Sequence, residues 1–142
     1  MTTPKLFNVG VKAVVRNDNS LLLLRRELKD GLEFWDLPGG RIEGDETFQE
    51  TLVRELNEEL PNAKVLHMSE SIEGVFRVSR DVENETGLIL LYYTVDMEIP
   101  EELEISDEHK YYRWISDANH IPQDGLNSVA QDVFRKLLTK AL

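Results

Sequence analysis

The sequence has no cysteine. That excludes disulfides, thiolate-held zinc and a cysteine nucleophile. Positive charge is scarce: 16 Lys and Arg stand against 27 Asp and Glu, for a net charge of -11. Nonspecific binding to a phosphate backbone rests on Lys and Arg, so a nucleic acid duplex is not expected as a partner. No apolar run approaches the roughly 20 residues that a membrane helix requires, and no membrane partner is expected. Met1 to Gly10 lacks the basic start and apolar stretch of a signal peptide. A cytoplasmic location is therefore the expectation.

What is present fits a soluble globular chain. The hydrophobic fraction is 41% and the charged fraction 30%, too apolar for a disordered segment. With 142 residues the expectation is one domain over residues 1–142. The excess of acid repels a phosphate-bearing substrate unless bound metal ions reverse the local charge.

Val9, Val11, Ala13 and Val15 alternate with Gly10, Lys12 and Val14, which predicts a half-buried strand. Asn17-Asp18-Asn19 is a turn. Leu21 to Leu24 is a short continuous apolar run suited to a buried strand. A short strand over Leu32 to Leu37 ends at Pro38-Gly39-Gly40. Then the period changes. Thr47 followed by Glu50 is a capping-box pattern. Phe48, Leu52, Val53, Leu56 and Leu60 recur at helical spacing, and Pro61 stops the helix. Strands are predicted over Val65 to Val78 and Leu88 to Asp96, with a polar loop over 81–87 between them. An acidic loop over Glu98 to Lys110, a strand over Tyr111 to Ile115 and an amphipathic helix over 124–142 follow. The order of strands and helices fits an α/β chain with a mixed sheet covered by helices.

Glu55, Glu58 and Glu59 stand at i, i+3 and i+4 on the predicted helix. They span an arc of about 100° at 3.6 residues per turn. Three like charges on one patch destabilise a bare helix, and a cation among them relieves the repulsion. Mg²⁺ takes a few carboxylates while keeping waters and substrate phosphates. The bland alternative is an ordinary solvated helix face. Arg54 is four residues before Glu58, close enough for a local ion pair. Two glycines just upstream, Gly39 and Gly40, let the backbone approach closely, and a carbonyl there can turn toward a metal.

Taken together, Gly40 to Glu59 resembles the Nudix box, whose pattern is Gly, five residues, Glu, seven residues, then Arg-Glu-apolar-any-Glu-Glu-any-Gly-apolar. Gly40, Glu46, Arg54, Glu55, Leu56, Glu58 and Glu59 match with the spacing intact, seven of nine specified positions. Pro61 and Asn62 stand where the pattern has Gly and an apolar residue. Proline also ends a helix, and Asn62 is expected to take the left-handed conformation that closes one. Trp35 to Gly40, Leu21 to Arg26 and the Asp107-Glu108-His109 loop before Tyr112 to Ile115 extend the resemblance.

The resemblance implies a Nudix fold, an α/β/α sandwich with a mixed central sheet. It implies Mg²⁺ or Mn²⁺ held by Glu55, Glu58 and Glu59, with the Gly39 carbonyl adding a ligand. Gly40, Glu46 and Arg54 have structural places, Glu46 pairing with Arg54. The implied activity is hydrolysis of a diphosphate linkage in a nucleoside triphosphate, dinucleoside polyphosphate, nucleotide sugar or ADP-ribose. Arg54, Glu55, Glu58, Glu59 and Glu108 make up the expected catalytic set. The general base stays open between Glu58, Glu59 and Glu108. A Nudix-fold binding module without turnover is the alternative reading, and a homodimer is a further expectation. His109 is a candidate substrate contact, weighed against a merely solvated loop histidine. Trp35, Phe76, Tyr92 and Tyr112 are candidate stacking residues, weighed against the core. Arg25, Arg41 and Arg77 are candidate phosphate contacts.

Overall fold

A computed structural model describes residues 4–78 and 86–139. The chain begins with β1 (Phe7–Asn17), which turns at Asp18 into β2 (Ser20–Glu27). Two short strands follow, β3 (Glu33–Asp36) and β4 (Gly39–Arg41), then helix α1 (Phe48–Glu59). Next come β5 (Lys64–Met68), β6 (Gly74–Val78), β7 (Gly87–Glu98) and β8 (His109–Ile115). A single 3₁₀ turn (Ala118–His120) and helix α2 (Ser128–Thr139) complete it.

The strands form one sheet with central order β3-β2-β1-β7-β5. Strand β4 also pairs with β1, β6 with β7, and β8 with β2. The β1–β7 pairing is parallel and the others antiparallel, so the sheet is mixed as expected. Helix α1 lays Leu52, Leu56 and Leu60 on one face, against Val11, Ala13, Val15, Leu22, Leu24 and Tyr93. Helix α2 lays Ala130, Val133 and Phe134 on the other, with Leu126 just before it, against Val14, Leu21, Leu23, Trp35 and Tyr92. This is the α/β/α sandwich.

Two apolar layers explain where the strand readings need correction. β1 is not half-buried: Val14 is as buried as Val11 and Val15, because α2 covers the face that alternation assigned to solvent. Leu21 to Leu24 send alternate side chains into the two cores, as a continuous apolar run requires. The expected strand over Val65 to Val78 is two strands, interrupted at 69–73. Both pieces pair antiparallel with β7, β5 at its C-terminal end and β6 at its N-terminal half. Pro38-Gly39-Gly40 does not simply end β3. Gly39 and Gly40 open β4 and pair with Lys12 and Val11. β8 starts two residues earlier than expected, at His109. Helix α2 occupies the middle of the span assigned to it. Most of the loop expected over 81–87, and the end of the chain from 140, lie outside the described residues.

Candidate active site

Helix α1 begins as the sequence dictates. Thr47 caps it by accepting from the Glu50 N–H, and the Glu50 carboxylate accepts from the Thr47 N–H. It ends at Glu59. Leu60 closes the last turn by donating to the Leu56 carbonyl, and Pro61 prevents continuation. These two stops fix which face each glutamate occupies.

Glu59 lies on the buried side, only 4% exposed. Its Oε2 accepts from the Gly39 N–H at 2.7 Å, which joins the end of α1 to β4. Gly39 has φ of +150° and its Cα faces the Val11 carbonyl so closely that a Cβ would collide with it. Only glycine lets the Gly39 N–H reach this carboxyl. Gly40 has a second reason to lack a side chain, since a Cβ there would overlap the Glu55 carboxylate. Burial pushes the Glu59 carboxyl up to about 8, against the Gly39 N–H and the charge of Lys12, with Glu55 and Glu108 adding repulsion.

Arg54 organises the neighbouring acids. Its Nε and Nη2 clasp the two Glu46 oxygens at 2.8 and 3.0 Å. Its Nη1 donates to Glu55 Oε1 at 2.9 Å, and Nη2 also reaches the Arg41 carbonyl. The Arg54 bond holds the Glu46 carboxylate down at about 2, helped by the Glu43 N–H and the Thr51 hydroxyl. Glu55 is pushed upward by burial, opposed by Arg54. Glu58 points outward, its side chain 61% exposed, with Arg54 Nη1 3.9 Å away.

The late loop is hooked to the same helix end. Ser106 N–H donates to the Glu59 carbonyl, and His109 N–H donates to the Ser106 carbonyl. The Asn62 side chain donates to the Glu102 carbonyl and accepts from the Glu104 N–H, both at 2.9 Å. Asn62 is not left-handed, since Asp18 is the only non-glycine residue with positive φ among those described. Its place after Pro61 serves the loop instead. Glu108 is thereby brought to the helix end, and His109 Nε2 lies 3.9 Å from Glu59 Oε1. One ligand atom from each of Glu59, Glu108 and His109 falls within 4.8 Å of the others. His109 is not a solvated loop residue. It is 7% exposed, and burial lowers its imidazole below the usual value.

A family model described as the NUDIX domain matches residues 6–137. The chain belongs to the Nudix family. An ADP-ribose pyrophosphatase of Methanocaldococcus jannaschii is 31% identical over 118 residues, 81% of this chain and 64% of that protein. A bis(5'-nucleosyl)-tetraphosphatase (asymmetrical) of Mus musculus is 30% identical over 105 residues, 72% of this chain and 69% of that protein. The Nudix chain thus spans less than two-thirds of the first relative's length. Among solved structures, the MutT protein of Methanosarcina mazei Go1 superposes with a TM-score of 0.70 at 25% identity, covering 98% of both chains.

The box of this Nudix chain is a divided constellation. Glu59, Glu108 and His109 meet, Glu55 sits beneath Gly40, and Glu58 faces outward. Gly39 meets Glu59 through its N–H. The aromatic candidates are core or near-core residues. Trp35 is buried, with the guanidinium groups of Arg25 and Arg113 over its ring at 4.9 and 4.8 Å. Phe76 packs on the α2 side and Tyr112 on the α1 side. The Tyr92 hydroxyl accepts from Asn127 Nδ2 at 2.6 Å. Arg25 is committed to Glu33 and Asp124, and Arg77 lies over the Phe7 ring. Arg41 offers its carbonyl to Arg54 while its side chain is exposed. Sequence reading missed Lys12 and Asp36, paired at 3.1 Å beside the Glu59–His109 cluster. The available signal was Lys12 itself, a charged residue in the middle of a strand, between the apolar Val11 and Ala13.

The donor set suits a divalent cation. It contains carboxylate oxygens and an imidazole, the Glu59 carboxyl is strained toward neutrality by burial, and His109 Nδ1 is buried without a hydrogen-bond partner.

Proposed function

We propose that this chain is a divalent-metal-dependent hydrolase that cleaves a diphosphate linkage in a nucleoside diphosphate joined to another moiety. The observation that carries this reading is the buried Glu59 carboxyl at the end of the box helix, met by Glu108 and His109 from the late loop. A carboxyl so placed is costly without a cation, since its charged form is desolvated and faces Glu55 and Glu108.

Glu59 and Glu108 would hold the cation, with Glu55 beside them. When bound, the cation neutralises the diphosphate oxygens and makes water more acidic. Gly39 and Gly40 let β4 lie against the carboxylates, since a Cβ at either would collide with the Val11 carbonyl or the Glu55 carboxylate. Glu58 stands outside the cluster with its oxygens in solvent and takes the proton from the attacking water. In-line displacement then needs positioning and charge, not a covalent nucleophile. Arg54 and Glu46 keep Glu55 and the connecting loop in register.

Replacing Arg54 by Lys tests that last role. Lysine cannot make the forked contact to Glu46 while also bonding Glu55. Because Arg54 is partly exposed, stability should change little, while turnover falls about 10- to 100-fold. Thermal melts and steady-state rates of the variant check both expectations.

The broader test incubates the protein with nucleoside triphosphates, dinucleoside polyphosphates, nucleotide sugars and ADP-ribose, with Mg²⁺ or Mn²⁺ and with chelator. The two relatives are named for ADP-ribose and for bis(5'-nucleosyl) tetraphosphates, so both compounds belong in the panel. Metal-dependent cleavage of one compound, lost in Glu58→Gln with metal binding retained, supports the reading. Tight binding of a nucleotide that stays intact would replace it with a binding module.

A further inference from the structure

We propose that His109 is itself a ligand of the cation, so that the site is a mixed nitrogen and oxygen centre favouring Mn²⁺ and other borderline ions over Mg²⁺. This rests on the reading that the cation sits at Glu59. His109 Nε2 is 3.9 Å from Glu59 Oε1, too far for a hydrogen bond. Two donors each about 2.1 Å from one ion lie at most about 4.2 Å apart. The pair is therefore close enough to share one cation. Glu108 is exposed, and one of its carboxylate oxygens lies within 4.8 Å of both other donor atoms.

The imidazole is otherwise unexplained. Its side chain is 2% exposed, Nδ1 is buried without a partner, and no hydrogen bond to the ring occurs among the described residues. A buried ring without polar partners costs free energy; a cation on Nε2 gives the ring one strong interaction, while Nδ1 stays unpaired. Placement is not left to a flexible side chain. The backbone bonds from His109 to Ser106 and from Ser106 to Glu59 fix the ring beside the end of α1. Mg²⁺ prefers oxygen and dehydrates reluctantly, whereas imidazole suits the ions further along the transition series. The histidine is therefore a selectivity device as well as a ligand.

Pulsed electron paramagnetic resonance of the chain loaded with Mn²⁺ alone tests this. We expect modulation from a directly bound nitrogen. The chain has three histidines, so replacement one at a time assigns the nitrogen. The signal should vanish in His109→Asn and survive in His67→Asn. Mn²⁺ affinity should fall about 10- to 100-fold in His109→Asn, while Mg²⁺ affinity changes less than about 3-fold. Labelling histidine with ¹⁵N alters no contact, and a changed modulation that persists in His67→Asn and His120→Asn assigns the nitrogen to His109 even if His109→Asn fails to fold. Mn²⁺ bound tightly with no nitrogen modulation would overturn the ligand role of His109 and leave Glu59 in place. Mn²⁺ binding unchanged by Glu59→Gln would overturn the reading beneath it.

Discussion

Glu59→Gln should lose metal-dependent turnover by on the order of 10³-fold, equivalent to about 4 kcal/mol of transition-state stabilisation. The same change should make the metal-free protein more stable at alkaline pH. The sign follows from the raised carboxyl. Folded, Glu59 holds its proton up to about pH 8, whereas the unfolded chain releases it near 4.5. Between these values the folded state binds more protons, so stability falls as pH rises and levels off above about 8. Glutamine has no proton to lose. Wild type and variant should therefore unfold alike at pH 4, and the variant should gain on the order of 4–5 kcal/mol by pH 9. Denaturant titrations without metal across this range check the slope. Equal stability at both ends would mean that the carboxyl is not desolvated as the fold places it.

Gly39→Ala should be among the most disruptive single changes in the chain. The residue has φ of +150°, and its added methyl would meet the Val11 carbonyl, which belongs to the central strand and cannot swing aside. Backbone strain and overpacking together should cost about 3 kcal/mol or more. Gly31→Ala provides the comparison. Its φ is +87°, but nothing lies within 4 Å of the added carbon, so it isolates the conformational term at about 1 kcal/mol. Urea midpoints of the two variants separate collision from strain. Similar losses in both would show that β1 yields to β4.

Helix α1 was the most legible part of the sequence because its signals are local. Thr47, Glu50, the apolar spacing and Pro61 each act within one turn, and the helix runs from Phe48 to Glu59 as they require. The box motif carried the family through charge and spacing alone. What stayed hidden depends on contacts distant in sequence. A helical wheel groups Glu55, Glu58 and Glu59 on one arc. It does not reveal that Gly39 draws Glu59 inward while Glu58 remains in solvent. His109 was read two residues outside its strand, and its burial comes from the loop being tied to Glu59 and Asn62. The break between β5 and β6 was invisible because both pieces pair with the same long β7. Pro61-Asn62, a departure from the motif, reads as a defect until the Asn62 bonds to the acidic loop are seen.

The central claim is that a cation displaces a proton from buried Glu59. Calorimetric titration of Mn²⁺ into the chain at pH 7, in buffers of different ionisation heat, counts the protons released. With the carboxyl near 8, binding should release close to one proton at pH 7 and almost none at pH 9.5. Glu59→Gln should release none at either pH. Binding at pH 7 without proton release would contradict the account, placing the cation away from Glu59.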